Sequence, residues 1–322
     1  MRAIVQDRYG MSDVLQARDI DTPDVEPHQV LIRVRAAGVN PADWAVMSGL
    51  PYVARPVYGL TKPQARVRGT DVAGTVERVG GAVTRFRAGD EVFGASNGSY
   101  AEYATASEDS LALKPANLTF AEAAAVPMAG LVALQALRDH AHVRPGQHVL
   151  INGASGGIGS FAVQIAKVLG ARVTAVCSTG NVDLVRSLGA DDVVDYTQAD
   201  VTRSGDMFDV ILDNVGNHSL TALRRVLTPT GALISNGGQF GNRWFASSGR
   251  LLHAQVLARF VKQSFPMFVV SQKHEDLATL AGLLEAGRVI PVLDRTYPLA
   301  EAAQALTHVG SGHTRGKVAV TL

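Results

Sequence analysis

Cysteine is almost missing: Cys177 is the one cysteine in 322 residues. No intramolecular disulfide can form and no cysteine-cluster zinc site can be built, which fits a reducing, cytoplasmic setting. Neither sign of charge predominates, because 30 Lys and Arg face 29 Asp and Glu for a formal net charge of +1. A strong general attraction to nucleic acid or acidic surfaces is therefore not expected. No charge-free apolar run is long enough for a membrane helix, and "MRAIVQDRYG" has neither the apolar core nor the cleavage site of a signal peptide. What is present, 47% hydrophobic and 18% charged residues, reads as a soluble, well-packed chain. Its length suits two domains or one large one.

The first hundred or so residues alternate short β-rich runs with turns, as in "QVLIRVRAAGV", "VAGTVERVG" and "DEVFGAS". That spacing suits a compact antiparallel β domain. After Pro115, "AEAAAVPMAGLVALQALRDH" reads as helix interrupted near Pro127. From Val149 strands alternate with helices: "HVLIN", a helix from about Gly156 to Leu169, "RVTAVCS", "VDLVRSLG", "DVVDY", "FDVILDN", "LTALRRVL" and "GALISNGG". This rhythm predicts a parallel, doubly wound sheet. "RLLHAQVLARFVKQSF" has helical spacing up to Pro266, and the tail returns to strand, helix and strand. The tail is expected to rejoin the first domain, with the doubly wound domain inserted between: residues 1–123 with 266–322, and 124–265.

Gly153, Gly156, Gly157 and Gly159 lie between an apolar strand and an amphipathic helix. Glycine lets such a turn be tight and lets a pyrophosphate approach backbone N–H groups at the helix N-terminus. Ser155, Gly156, Gly157, Ile158 and Gly159 are thus candidate dinucleotide-binding residues. Where an Asp or Glu would accept from the ribose hydroxyls of NAD, the second strand ends in Cys177, Ser178, Thr179, Gly180 and Asn181. A carboxylate repels a 2′-phosphate, whereas hydroxyls and amides donate to one, so NADPH suits this end better than NADH. Ser178 and Thr179 equally suit capping of the next helix.

The order of these parts resembles the medium-chain dehydrogenase/reductase superfamily, in its zinc-independent NADPH:quinone oxidoreductase-like branch. The resemblance rests on "AAGVNPADWAVMSG", "GTDVAGTVERVG", "GDEVFG", "NLTFAEAAAVPMAGLVALQAL", "GASGGIGSFAVQIAK", "LDNVG" and "GKVAV", and it spans the whole chain. It implies an α/β architecture, a GroES-like β-rich domain with an inserted Rossmann domain. Zinc-dependent relatives carry cysteine in place of Asp43 and His-Glu in place of Thr70-Asp71, so no metal is expected. The close pair His140 and His142 reads as solvated surface.

By the same resemblance, Asn40 and Asp43 belong to a loop beside the nicotinamide and the acceptor, and Tyr52 stands where relatives often carry an active-site tyrosine. An N-terminal helix acid explains Asp43 equally, and an ordinary loop aromatic explains Tyr52. Tyr196 matches a tyrosine that helps to hold the 2′-phosphate, whereas Asn181 replaces a lysine often found there. Asn214, Val215 and Gly216 match the strand end beside the cofactor ribose, Gly237 with Gly238 the strand end near the nicotinamide, and residues near Lys317 are expected to complete the pocket. The implied activity is NADPH-dependent hydride transfer to a quinone or α,β-unsaturated carbonyl compound by a homodimer. Two alternatives stand beside it. One is an enoyl-thioester reductase, with the basic loop 50–68 and the stretch 250–265 shaping an acyl site. The other is a nucleotide-binding protein of vestigial activity that binds a partner or RNA.

Overall fold

The alternating run at 29–39 forms the longest strand of the first of two compact units, Met1–Leu131 with Ser271–Leu322 and Val132–Val270. The computed structural model describes residues 1–236 and 254–322; Gly237, Gly238 and the start of the 250–265 stretch lie outside them. Numbered along the chain, the first unit holds β1 (Arg2–Val5), β2 (Gln16–Asp19), β3 (Gln29–Val39), β4 (Asp71–Val79), β5 (Glu91–Ala95), β6 (Tyr103–Ser107) and β7 (Leu111–Leu113), and later β13 (Leu293–Pro298) and β14 (Lys317–Thr321). β1 pairs with β2, and the large sheet runs β13-β14-β3-β4-β5-β7 with β6 also on β3. All its pairings are antiparallel except β13 with β14. In the tail, Val318, Ala319 and Val320 pair with Val39, Gly38 and Ala37 of the first unit.

β3 explains where the site forms. Val30, Ile32 and Val34 face one apolar cluster with Val72, Val76, Val92 and Leu111, while Arg33 and Arg35 on the opposite face are exposed. This is the period-2 signature of a half-solvated sheet. From Ala36 to Val39 every residue is buried, because Ala37 and Val39 enter a second cluster with Met47, Leu306, Val309 and Val318. The strand thus delivers the next residue, Asn40, into a region covered on both faces.

In the second unit, β8 (His148–Asn152), β9 (Arg172–Cys177), β10 (Asp192–Asp195), β11 (Phe208–Asp213) and β12 (Leu227–Ser235) form a parallel sheet in the order β10-β9-β8-β11-β12. Val149, Leu150 and Ile151 are fully buried, as a strand covered on both faces requires. The order reverses between β8 and β11, the topological switch point at which open α/β sheets bind ligands. The expected helix up to residue 265 is not what forms: residues 254–257 are helical, turns follow, and Ser264 bridges Ala232 in parallel. Gln263 explains the change, since its amide donates to the carbonyls of Arg224, Leu227 and Thr228 at 3.2, 3.1 and 3.2 Å. Among the described residues no helix is long and apolar enough to cross a membrane.

Candidate active site and dinucleotide turn

The turn after β8 is closed by contacts that leave no room for a side chain at Gly153 or Gly159. Gly153 has φ +77°, and a Cβ on Gly159 would lie 2.1 Å from the Gly153 carbonyl oxygen and 2.7 Å from Ala154 Cα. The helix Gly157–Val168 begins on Gly156 without a side-chain cap, so its first N–H groups lack intrahelical partners and the positive end of its dipole is free for an anion. At the switch point, Asn152 donates to Asp213 at 2.8 Å, and Asp213 accepts the Val215 and Gly216 N–H groups at 3.2 and 2.9 Å. Asn214 beside them buries an Nδ2 with no partner, a donor that a ribose hydroxyl can satisfy. A turn closed to a Cβ at Gly153 and Gly159, a free helix N-terminus and this orphaned amide together fit a dinucleotide.

Ser178, Thr179, Asn181 and Tyr196 gather at the ends of β9 and β10. Asn181 donates to Ser178 Oγ at 3.0 Å, and the Tyr196 N–H donates to the Cys177 carbonyl at 3.0 Å. Sequence reasoning missed one neighbour: Asp195, opposite Cys177 in the β10–β9 register, accepts from the Thr179 hydroxyl at 2.6 Å. The Thr179 hydrogen bond holds its carboxyl below the usual range. A carboxylate absent from the end of β9 is thus present on the adjoining strand.

In the first unit a buried polar cluster surrounds Asn40. Its backbone N–H donates to Asp43 Oδ2 at 2.9 Å, which fixes the start of the helix Pro41–Ser48. Its amide Nδ2 donates to Asp71 Oδ2 at 3.0 Å, and its Oδ1 accepts from Lys317 Nζ. Lys317 also donates to the Val39 carbonyl at 3.2 Å and stands 3.8 Å from Asp71. Asp71 additionally accepts the Met128 N–H at 3.2 Å. Gly38 permits the approach, since a Cβ there would lie 2.9 Å from Asp71 Cβ and 2.3 Å from the Ala124 carbonyl oxygen. Tyr100, fully buried, places its hydroxyl 3.2 Å from Asp43 Oδ2.

Burial dominates the electrostatics of this cluster. It pushes the Asp43 carboxyl up to about 6, with Asp71 adding to the rise and the Asn40 N–H, Lys317 and Tyr100 opposing it. Burial likewise raises Asp71 and lowers Lys317. Asp43 also lines a cavity of about 260 Å³ with Val46, Arg68, Gly69, Thr70 and Asn97. Tyr52 is elsewhere engaged: the Arg55 guanidinium lies 4.6 Å from the ring centroids of both Tyr52 and Tyr9. The structure thus joins Asn40 and Asp43 in one cluster and gives Tyr52 a bracing contact in the loop. Tyr100 escaped sequence reasoning, Asp71 entered it only as the place of a zinc ligand in relatives, and Lys317 only as a neighbour of residues completing the pocket, although "GTD" and "GK" each set a charged residue at the start of an apolar strand. Among the described residues no group of three His, Cys, Asp or Glu is placed to hold a metal, and His140 stacks on Phe268 at 4.3 Å between centroids.

Residues 26–116 match the alcohol dehydrogenase GroES-like domain and residues 188–320 the zinc-binding dehydrogenase domain. The chain is 35% identical to the mitochondrial NAD(P)H oxidoreductase RTN4IP1 of Mus musculus, over 100% of this chain and 89% of that protein. It is also 35% identical to 2-methylene-furan-3-one reductase of Solanum lycopersicum, over 99% of this chain and 79% of that protein. Among solved structures, the quinone oxidoreductase of Escherichia coli complexed with NADPH superposes with a TM-score of 0.85 at 25% identity, covering 100% of both chains. Fold, motifs and relatives agree that this chain belongs to the medium-chain dehydrogenase/reductase superfamily, in its quinone oxidoreductase-like branch.

Proposed function

We propose that this chain is an NADPH-dependent reductase of quinones or α,β-unsaturated carbonyl compounds that works without zinc. The observation that carries the reading is the glycine turn, where Gly153 and Gly159 allow no Cβ and the helix N-terminus is uncapped. The N–H groups of Gly157, Ile158 and Gly159, with Ser155 and Gly156 in the turn, bind the pyrophosphate. Asn214 and Val215 would hold the ribose, and Ser178, Thr179, Asn181 and Tyr196 the 2′-phosphate; Gly237, expected by resemblance to serve the nicotinamide, lies outside the described residues. The similar Escherichia coli protein was solved with NADPH, and the similar tomato protein is named for a substrate with a methylene group beside a ketone. Both names describe electron-poor acceptors that need no metal to accept hydride.

Bound NADPH supplies a hydride from its nicotinamide ring. The chain's part is to hold the acceptor against water in the cavity that Asp43 and Thr70 line, and to return a proton to its oxygen. Asp43 is the donor: its carboxyl is pushed up to about 6, it opens on the cavity, and solvent reloads it. Asn40 positions Asp43 through its backbone N–H. Asp43, Thr70 and Arg68 together are not a zinc-binding set. A homodimer in a reducing cytoplasm completes the proposal, and light scattering distinguishes one chain from two.

The deciding experiment titrates the purified protein with NADPH and NADH, then follows oxidation of the preferred one with a benzoquinone, an enone and an enoyl thioester. Tighter NADPH binding with turnover of the quinone or enone is the expected result. Turnover of the thioester alone would replace the acceptor class, and binding without turnover of any would overturn the reductase reading.

A further inference from the structure

Two cations are buried in the first unit, and their surroundings differ. Lys317, 4% exposed, is fully engaged by Val39, Asn40 and Asp71. Arg68, 5% exposed, is not. Its Nη2 donates to the Ala65 carbonyl, its Nε is buried without a partner, and among the described residues it forms no close ion pair, the carboxyl of Asp43 being the strongest opposite charge that it feels. Arginine is almost never this buried without a paired anion, because an unpaired charge in a low-dielectric setting is costly. Arg68 also lines the cavity of about 260 Å³, on the wall it shares with Asp43 and Thr70. Two buried carboxyls, Asp43 and Asp71, face these two cations. Lys317 answers Asp71, whereas the Asp43 carboxyl has its Oδ2 held by the Asn40 N–H and the Tyr100 hydroxyl.

We propose that Arg68 is a catalytic residue whose guanidinium binds the oxygen of the acceptor as that oxygen becomes an anion. The inference rests on the reductase reading for its chemistry, though the anion site itself does not depend on it. When a hydride with its two electrons adds to the conjugated carbon of an enone or to a quinone, the π electrons move onto the carbonyl oxygen, giving an enolate or phenolate. The developing charge meets Arg68, the Asp43 O–H then gives that oxygen or its conjugate carbon a proton, and the acceptor leaves with two electrons and two hydrogens more than it brought. Interactions that strengthen as charge develops raise kcat rather than lower KM.

The ligand-free test uses 4-nitrophenolate as a stand-in for the anion and nitrobenzene as its neutral control, titrated into the protein without cofactor. Wild type is expected to bind the phenolate, Arg68→Met to bind it at least tenfold more weakly, and nitrobenzene to show no such difference. The kinetic test compares Arg68→Met and Arg68→Lys: kcat is expected to fall about a hundredfold in the first with KM nearly unchanged, to recover partly in the second, and to recover in Arg68→Met when guanidinium ion is added. Thermal unfolding of both variants separates folding loss from site loss. Equal phenolate binding in wild type and a folded Arg68→Met, or an unchanged kcat, would overturn the proposal. Phenolate binding that follows Arg68 in a protein turning over no acceptor would leave the anion site standing and sink the reductase reading instead.

Discussion

The proposed proton donor Asp43 is buried at a cost in stability. Its folded value of about 6 lies above the ordinary aspartate value of 3.8, so the folded state holds the proton more tightly than the unfolded chain. The sign follows: this group's stabilisation is complete below about 4 and is lost as pH rises through about 6, a difference on the order of 3 kcal/mol. Denaturant unfolding at pH 4 to 7.5 is expected to show that decline in wild type and to be flatter in Asp43→Asn. If Asp43 is the proton donor, kcat/KM falls above about pH 6, and Asp43→Asn loses a factor of roughly a hundred or more together with that limb. Lys317→Met leaves Asp71 buried with its charge unanswered and is expected to cost about 3–5 kcal/mol in the same unfolding measurement. At the adenosine end, Asp195→Asn removes a negative charge one hydrogen bond from Thr179. Its NADPH affinity relative to NADH is expected to rise by roughly threefold to tenfold, measured by fluorescence titration at low salt. Asn40 and Asp43 were legible through the resemblance that "AAGVNPADWAVMSG" carries. The bond between Lys317 and Asn40 was not, because the two meet across 277 residues of chain and no local pattern encodes that meeting.

The elements themselves were far more legible than the pairings among side chains. "HVLIN" became β8 at the expected residues, and the helix after it runs Gly157–Val168 against the expected 156 to 169, because an apolar run and a 3.6-residue period are local signals. The 250–265 stretch misled for the complementary reason. Its spacing suits a helix, yet Gln263 and Ser264 bond to the strand β12 and its approach, partners invisible to periodicity. The glycine turn is the element on which the cofactor argument depends, and it has little tolerance. Gly159→Ala would place a methyl 2.1 Å from the Gly153 carbonyl oxygen, contact with backbone that cannot swing aside. Its NADPH affinity is expected to fall at least about tenfold, some 1.4 kcal/mol, while acceptor-site phenolate binding is unchanged.

At the scale of the whole molecule, two units divide the work that the proposed reaction requires, and ligands should report on them separately. NADPH at a hundred times its dissociation constant is expected to add about 2.7 kcal/mol of stability. Hydrogen exchange should find the new protection concentrated within 132–270, around the turn after β8 and the ends of β9 and β11. The first unit is discontinuous in the chain, and its sheet is completed only when β14 docks along Ala36–Val39 of β3. A ribosome therefore finishes the second unit before the one that it started first. Until residues 317 to 321 emerge, Asp71 has no Lys317 ammonium beside it and one edge of β3 is open over Ala36–Val39. The nascent protein thus completes the proposed reaction centre last, and a stalled or truncated chain carries a complete parallel sheet beside an Asn40–Asp71 cluster that lacks its lysine.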